Sequence, residues 1–178
     1  MTLLTPDHVP AVDELIRLRM YWLLDRRLPL SGESSNLVDL VRLPEPEPGM
    51  LPVGMWDGET LVAALAVQAA TPMAGWTLKE RQESSLAISL AHTHPEQQGL
   101  GRLPTHWLCD YAARRPSPPA WIRCTVRVKN LADYLEHACG WEKVREITGW
   151  KGGSHLFQRA PRRDPQMRLL VRGEGELA

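Results

Sequence analysis

The chain has 178 residues, no net formal charge, 24% charged and 43% hydrophobic residues, which suits one globular domain with a substantial core. The even balance gives no electrostatic footprint for nucleic acid or an anionic membrane surface. No apolar run reaches the length of a membrane span, and Asp7, Asp13 and Glu14 interrupt any secretory pattern, so a cytoplasmic protein is expected.

Thr5-Pro6-Asp7 reads as an N-cap followed by proline at the first helical position. Over residues 9–27, Val12, Leu15, Ile16, Trp22 and Leu23 fall near one face, which predicts a long first helix. A second helix is expected over 35–43, with Leu37, Leu40 and Val41 inward. "PEPEPG" (44–49) ends it, because each proline lacks an N–H and disfavours helix in the residue before it. "PVGMW" and "LVAALAVQA" flank Asp57-Gly58-Glu59-Thr60, a hairpin signal. Residues 71–83 form a polar excursion with a helical turn near its end.

"SSLAISLAH" alternates Leu86, Ile88 and Leu90 against smaller residues and reads as a strand. "HPEQQGLGR" (94–102) follows as a glycine turn. Leu103, Trp107, Leu108 and Tyr111 then fall at helical spacing, with Pro104 tolerable only in the first turn. "AWIRCTV" (120–126) is a strand alternating Ile122, Cys124 and Val126. Residues 131–138 read as a helix ended by Gly140, and "WEKVREI" and "SHLFQR" as a closing hairpin around 148–153. The tail, 161–178, is charged and expected to be loose, with 169–171 its one candidate strand. The order predicts a single α/β domain over 1–160, a mixed sheet flanked by helices. Cys109, Cys124 and Cys139, an odd number without CxxC spacing, are expected as reduced, mostly buried thiols.

Four features resemble the GNAT acetyltransferase superfamily: the strand, "HPEQQGLGR" turn and helix; Val126 four residues before Asn130 in "VRVKN"; the helix "LADYLEHACGW", which ends in Gly140-Trp141; and the closing hairpin. The resemblance is detailed over residues 84–158 and extends to the first eighty by element order. At the first position of the family's loop motif, counted from Gly99 and Gly101, this chain has Glu96. The family's first strand is reduced to Leu3 and Leu4.

The resemblance implies an N-acyltransferase that moves an acetyl or other short acyl group from acetyl-CoA directly to an amine, without a covalent intermediate. The backbone of Ala91, His92, Thr93 and His94 would pair with the pantetheine amides, a form of strand addition. The N–H groups of Gln97, Gln98, Gly99, Leu100, Gly101 and Arg102 would hold the pyrophosphate at the helix N-terminus, beside the Arg102 charge. Asn130 would hold the pantetheine or cap the helix after it, and both roles are compatible. Glu83, just before the strand, is the candidate base through a water, with a solvated loop carboxylate as its plain alternative. Tyr134 is the candidate acid, with core packing as its alternative; the family's tyrosine usually lies four residues before the glycine, where this chain has Glu136.

His92 and His94 share a strand face; a metal there would need further ligands that the sequence does not nominate, and polar side chains at a strand end are the plainer reading. Trp56, Trp76 and Trp150 line an acceptor pocket or simply pack. The expected acceptor is a small-molecule amine, with neither nucleic acid nor membrane as a partner. A homodimer through the last strands is implied by the resemblance alone. Two rivals stand beside the enzyme: a degenerate GNAT domain that binds acyl-CoA or a partner without turnover, and an acyltransferase acting on carrier-protein thioesters through a basic docking face.

Overall fold

A computed structural model describes residues 1–28, 34–97, 99–148 and 153–167. The candidate strand at 169–171, together with Gln98 and Trp150, lies outside the described residues. Seven strands, β1 (Thr2–Leu3), β2 (Met50–Asp57), β3 (Thr60–Gln68), β4 (Ser85–Thr93), β5 (Trp121–Val126), β6 (Glu142–Ile147) and β7 (Ser154–Arg159), form one mixed sheet in the order β1-β2-β3-β4-β5-β7-β6. The helices are α1 (Val9–Asp25), α2 (Ser34–Arg42), α3 (Leu78–Gln82), α4 (Arg102–Arg114) and α5 (Lys129–His137), with a 3₁₀ turn at Pro6–His8. Strands β4 and β5 run parallel, as a helical crossover through α4 requires, while β1/β2, β5/β7 and β6/β7 are antiparallel. The α/β class and mixed sheet expected from the sequence are present.

Among the described residues the chain divides by compactness into two units, Met1–Val67 with Leu90–Pro104, and Gln68–Ser89 with 105–167. In the first, Thr5 precedes the 3₁₀ turn, and its N–H donates to His8 Nδ1 at 3.0 Å. The core joins Leu4, Val12, Leu15 and Ile16 to Leu37, Leu40 and Val41 of α2 and to Leu61, Ala64 and Ala66 of β3. Burial of each Leu, Ile or Val there contributes about 1.5–3 kcal/mol before entropy is charged against it. Strand β3 is buried from Leu61 to Val67 without alternation, the pattern of a strand covered on both faces. The two residues of β1 find a place against β2 because Thr2 pairs with Gly54, where a Cβ would stand 2.7 Å from both Leu4 and Leu61 side chains. Trp56 Nε1 fastens the pair by donating to Thr2 Oγ1 at 2.9 Å.

In the second unit Leu86, Leu108, Ile122, Leu156 and Phe157 are buried. Helix α5 ends with Gly140 at φ +67, where the Cys139 N–H donates to Tyr134 O at 3.2 Å and the Trp141 N–H to Leu135 O at 3.0 Å. The closing hairpin pairs Glu142↔Gln158 through Ile147↔Ser154, with a register shift between Lys143 and Arg145. All three cysteines are buried, and none is in a disulfide. Burial pushes the Cys124 thiol well above its ordinary range, so it is inert as a nucleophile.

The tail departs from expectation over 161–167. The Arg162 N–H donates to Cys109 O at 3.2 Å, the Asp164 N–H to Asp110 Oδ1 at 2.8 Å, and Met167 is buried. Backbone and carboxylate partners on α4 hold this stretch, despite a charged composition that reads as solvated.

Candidate functional site

The parallel register of β4 with β5 runs from Ser85↔Trp121 to Ile88↔Cys124. Two residues on, Leu90 takes φ +52. A left-handed leucine inside a strand costs about 1–2 kcal/mol and re-aims the chain, as a bulge does. Strain of this kind persists only where packing over-determines it, and Leu90 packs against the first unit's core.

Beyond β4, the His94 N–H donates to Val62 O at 2.8 Å, which holds the strand's exit to β3. The turn closes with the Arg102 N–H on Gly99 O at 3.2 Å and the Leu103 N–H on Leu100 O at 3.0 Å. Gly99 sits at φ +79, and a Cβ there would meet nothing within 4 Å. Glycine is therefore suited to the backbone conformation, and the space where a side chain would stand is open. Helix α4 starts at Arg102, whose side chain is exposed, with Pro104 in the first turn where a missing N–H costs nothing.

A left-handed glycine with no side chain in the way, a helix N-terminus and an exposed guanidinium fit a bound anion such as a pyrophosphate. Two details narrow the cradle. The Arg102 N–H is already taken by Gly99 O, and Glu96, whose N–H reaches His94 Nδ1 at 3.4 Å, presents an exposed carboxylate on the same turn.

Of the residues expected along the pantetheine, Ala91 is exposed and His92, Thr93 and His94 are half-buried. His92 is electrostatically distinctive. Burial, and secondarily the charge of Arg19 on α1, lower its pKa to about 4, so the imidazole is neutral throughout the physiological range. Among the described residues no group of three His, Cys, Asp or Glu side chains is arranged to hold a metal ion.

The second unit carries the other candidates. Glu83 lies at the end of α3, and its carboxylate is ion-paired to Arg123 of β5, which is 0% exposed. The same guanidinium donates to Thr71 Oγ1 at 2.8 Å and to Glu80 O, and it lies 4.6 Å over the Trp76 ring. Glu80 in turn binds Arg145 and accepts the Thr77 N–H at 2.7 Å in a capping box. Glu83 is thus held by a buried arginine while keeping part of its side chain in solvent, and Trp76 packs on that arginine. Trp56, in the first unit, is held by Thr2 and lies 5.4 Å from the His8 ring.

Asn130 does not cap α5. The helix begins one residue earlier, at Lys129, with Val128 in the cap position and no side-chain capping bond, so Asn130 already has helical geometry, in which an N-cap cannot act. It is exposed, and Tyr134, half-buried, follows four residues later on the same face of α5. The sequence reading missed Arg123 and Arg19. The only signal for Arg123 was an arginine inside the apolar run "WIRCTV" with Glu80 and Glu83 in the preceding polar excursion.

No protein-family model and no curated protein matches the sequence. Solved structures do match in fold. An acetyltransferase from Thermus thermophilus aligns with 89% of this chain and 94% of its own at 19% identity and TM-score 0.59. A protein of the GNAT family from Desulfovibrio desulfuricans aligns over 89% and 96% at 11% identity and TM-score 0.64. The aminoglycoside acetyltransferase AAC(6')-Ib, solved with coenzyme A and kanamycin, aligns over 97% and 98% at 16% identity and TM-score 0.61. The chain has the GNAT acetyltransferase fold, and at these identities the fold is what the likeness establishes.

Proposed function

We propose that the protein is an acetyl-CoA-dependent N-acyltransferase acting on a small-molecule amine. The observation that carries this reading is the β4–turn–α4 unit: a left-handed Leu90 in the strand, then a left-handed Gly99, with open space where a Cβ would stand, just before a 13-residue helix. That arrangement within a GNAT fold supports acyl-CoA binding, as in the neighbour solved with coenzyme A. The turn and the first residues of α4 hold the pyrophosphate, Arg102 adds its charge, and the backbone of Ala91 to His94 pairs with the pantetheine amides.

When bound, the co-substrate supplies an acyl group already activated as a thioester, so the chain's task is to position a neutral amine. A backbone N–H near the end of β4 offers a donor for the developing oxyanion. Glu83, although engaged by Arg123, is retained as the candidate base through a water; His92, with its pKa lowered to about 4, is neutral at working pH but a weak base for the amine's proton. Tyr134 is retained as the donor of a proton to the departing thiolate and Asn130 as a partner for the pantetheine.

Thermal unfolding with acetyl-CoA and with free coenzyme A tests the reading. Each should raise Tm once well above its Kd, and thiol release with a panel of amines should follow. No Tm shift with either at millimolar concentration sinks it. A shift without thiol release favours the non-catalytic acyl-CoA-binding domain.

A further inference from the structure

We infer that the outer face of α1 over residues 17–28 is a docking surface for an acidic helical segment of another protein. This stands apart from the acyltransferase reading and from the coenzyme site.

Three observations carry it. First, the helix outruns its core. Val12, Leu15 and Ile16 are its fully buried residues, and half-buried Met20 is the last that packs on the core, yet the helix continues to Asp25. Arg17, Tyr21 and Leu24 fall within about 60° on one face of this extension. There Tyr21 is 61% and Leu24 53% exposed, and Leu28, 37% exposed, follows just past the helix end. An aromatic ring and two leucines turned to water on one short stripe offer a second helix a seam to pack against.

Second, the stripe is edged by cations. Residues 17–28 hold four arginines and one acid, Asp25, a net charge of +3 in a chain whose total is zero. Arg17 lies 5.5 Å over the Tyr21 ring, and Arg19 and Arg26 lie 4.5 and 4.3 Å over the Trp22 ring. Stacking orders each guanidinium plane before a partner arrives, so less rotamer freedom is lost when a carboxylate meets its N–H edge. Glu14 neutralises Arg17, but the Arg26–Asp25 pair is exposed and 3.3 Å long, and Arg19 and Arg27 have no ion pair among the described residues.

Third, α1 closes with the Arg27 N–H on Leu24 O at 3.0 Å and the Leu28 N–H on Leu23 O at 2.9 Å, a Schellman turn that puts Arg27 at φ +53. Glycine takes that left-handed position without strain. Here the position carries a guanidinium beside the stripe, and no ion pair among the described residues offsets the strain.

Charge selects the occupant. A second copy of this face would set arginines against arginines, so the surface does not pair with itself. An acidic amphipathic helix answers both features: its carboxylates meet the guanidinium edges, and its apolar positions cover Tyr21, Leu24 and Leu28.

The probe is a synthetic helical peptide with leucines along one face flanked by glutamates; its control carries lysines in place of the glutamates. Binding is followed by NMR on the isotope-labelled full chain, through the Trp22 indole N–H and the amides of residues 17–28. The glutamate peptide should shift these signals at low salt and bind about tenfold more weakly once added salt screens the charges. The lysine peptide should leave them in place. Leu24→Gln and Arg26→Glu should each weaken binding about tenfold. Arg27→Gly should weaken it without lowering Tm, a combination that an arginine kept for stability would not give.

Equal binding of the two peptides, no shift at millimolar glutamate peptide, shifts confined to other residues, or binding unchanged in both Leu24→Gln and Arg26→Glu overturns the inference. So does tighter binding at these residues by phosphatidylserine vesicles or by a thymidine oligonucleotide, which would assign the face to phosphate on a lipid or a nucleic acid.

Discussion

Arg123 and Arg19 put the same guanidinium into two opposite situations. Arg123 is 0% exposed and is engaged by Glu83, Thr71 Oγ1, the Glu80 carbonyl and the Trp76 face, although its Nε has no hydrogen-bond partner. Arg19 is half-buried and has one tryptophan face and no carboxylate among the described residues. Burial alone does not distinguish a structural charge from a functional one. The partners do: a charge already neutralised by a carboxylate inside the chain has less to offer a ligand. The same comparison applies to the candidate base. Glu83 is ion-paired to Arg123, whereas His92 is held neutral chiefly by burial.

The sharpest way to break the comparison is Arg123→Met. It strands Glu83, the Glu80 carbonyl and Thr71 while keeping most of the volume, and should cost about 3 kcal/mol, below the full penalty for a buried pair because Glu83 keeps some solvent. For a chain of this length Tm should fall roughly 6–12 °C. An unchanged Tm would mean the cluster is ornamental.

The next effect is on pH. The folded pKa of His92 is lowered to about 4 from an ordinary 6.5, so the folded state favours the neutral ring. Between those values the unfolded chain binds more protons. His92 therefore adds stability that is complete above about pH 6.5 and drains away as pH falls towards 4, at up to about 1.4 kcal/mol per unit. Denaturant titrations at about pH 6 and pH 5 should show this slope in the native protein and a flatter one in His92→Gln.

Gly99→Ala should cost about 1 kcal/mol, since its φ is +79 and no clash opposes the methyl. Its larger consequence is for ligand: the added Cβ stands where a phosphate would approach, so stabilisation by acetyl-CoA should be mostly lost. Retention of the full Tm shift would remove Gly99 from the cradle. Smallest of all, Arg19→Gln should change stability by less than about 0.5 kcal/mol, because only its contact with the Trp22 ring is lost. A fall as large as that of Arg123→Met would show that Arg19 is structural after all.

Much of this was legible in the chain's order. The period of Val12, Leu15 and Ile16 gave α1, the Asp57-Gly58 pair gave the β2–β3 hairpin with Gly58 at φ +58, and the "PEPEPG" stop separated α2 from β2. These are local signals, in which a few neighbouring residues decide the backbone. The start of α5 was misplaced by two residues because Val128 supplies no side-chain capping signal, and Asn130 looked like one. The 161–167 stretch read as tail because its partners, Cys109 and Asp110, lie some fifty residues away.

The amino-acid sequence by itself determined the α/β class, the strand–glycine turn–helix unit and the element order that resembles the GNAT fold, since each depends on hydrophobic period and turn chemistry within a dozen residues. Tertiary structure alone decided what the charges do. Arg123 meets Thr71 across 52 positions and Glu83 across 40; Arg19 acts on His92 from another element altogether. Whether a charge is paired depends on which distant groups the fold brings within a few ångströms and how much water it removes, and neither is written in any local pattern.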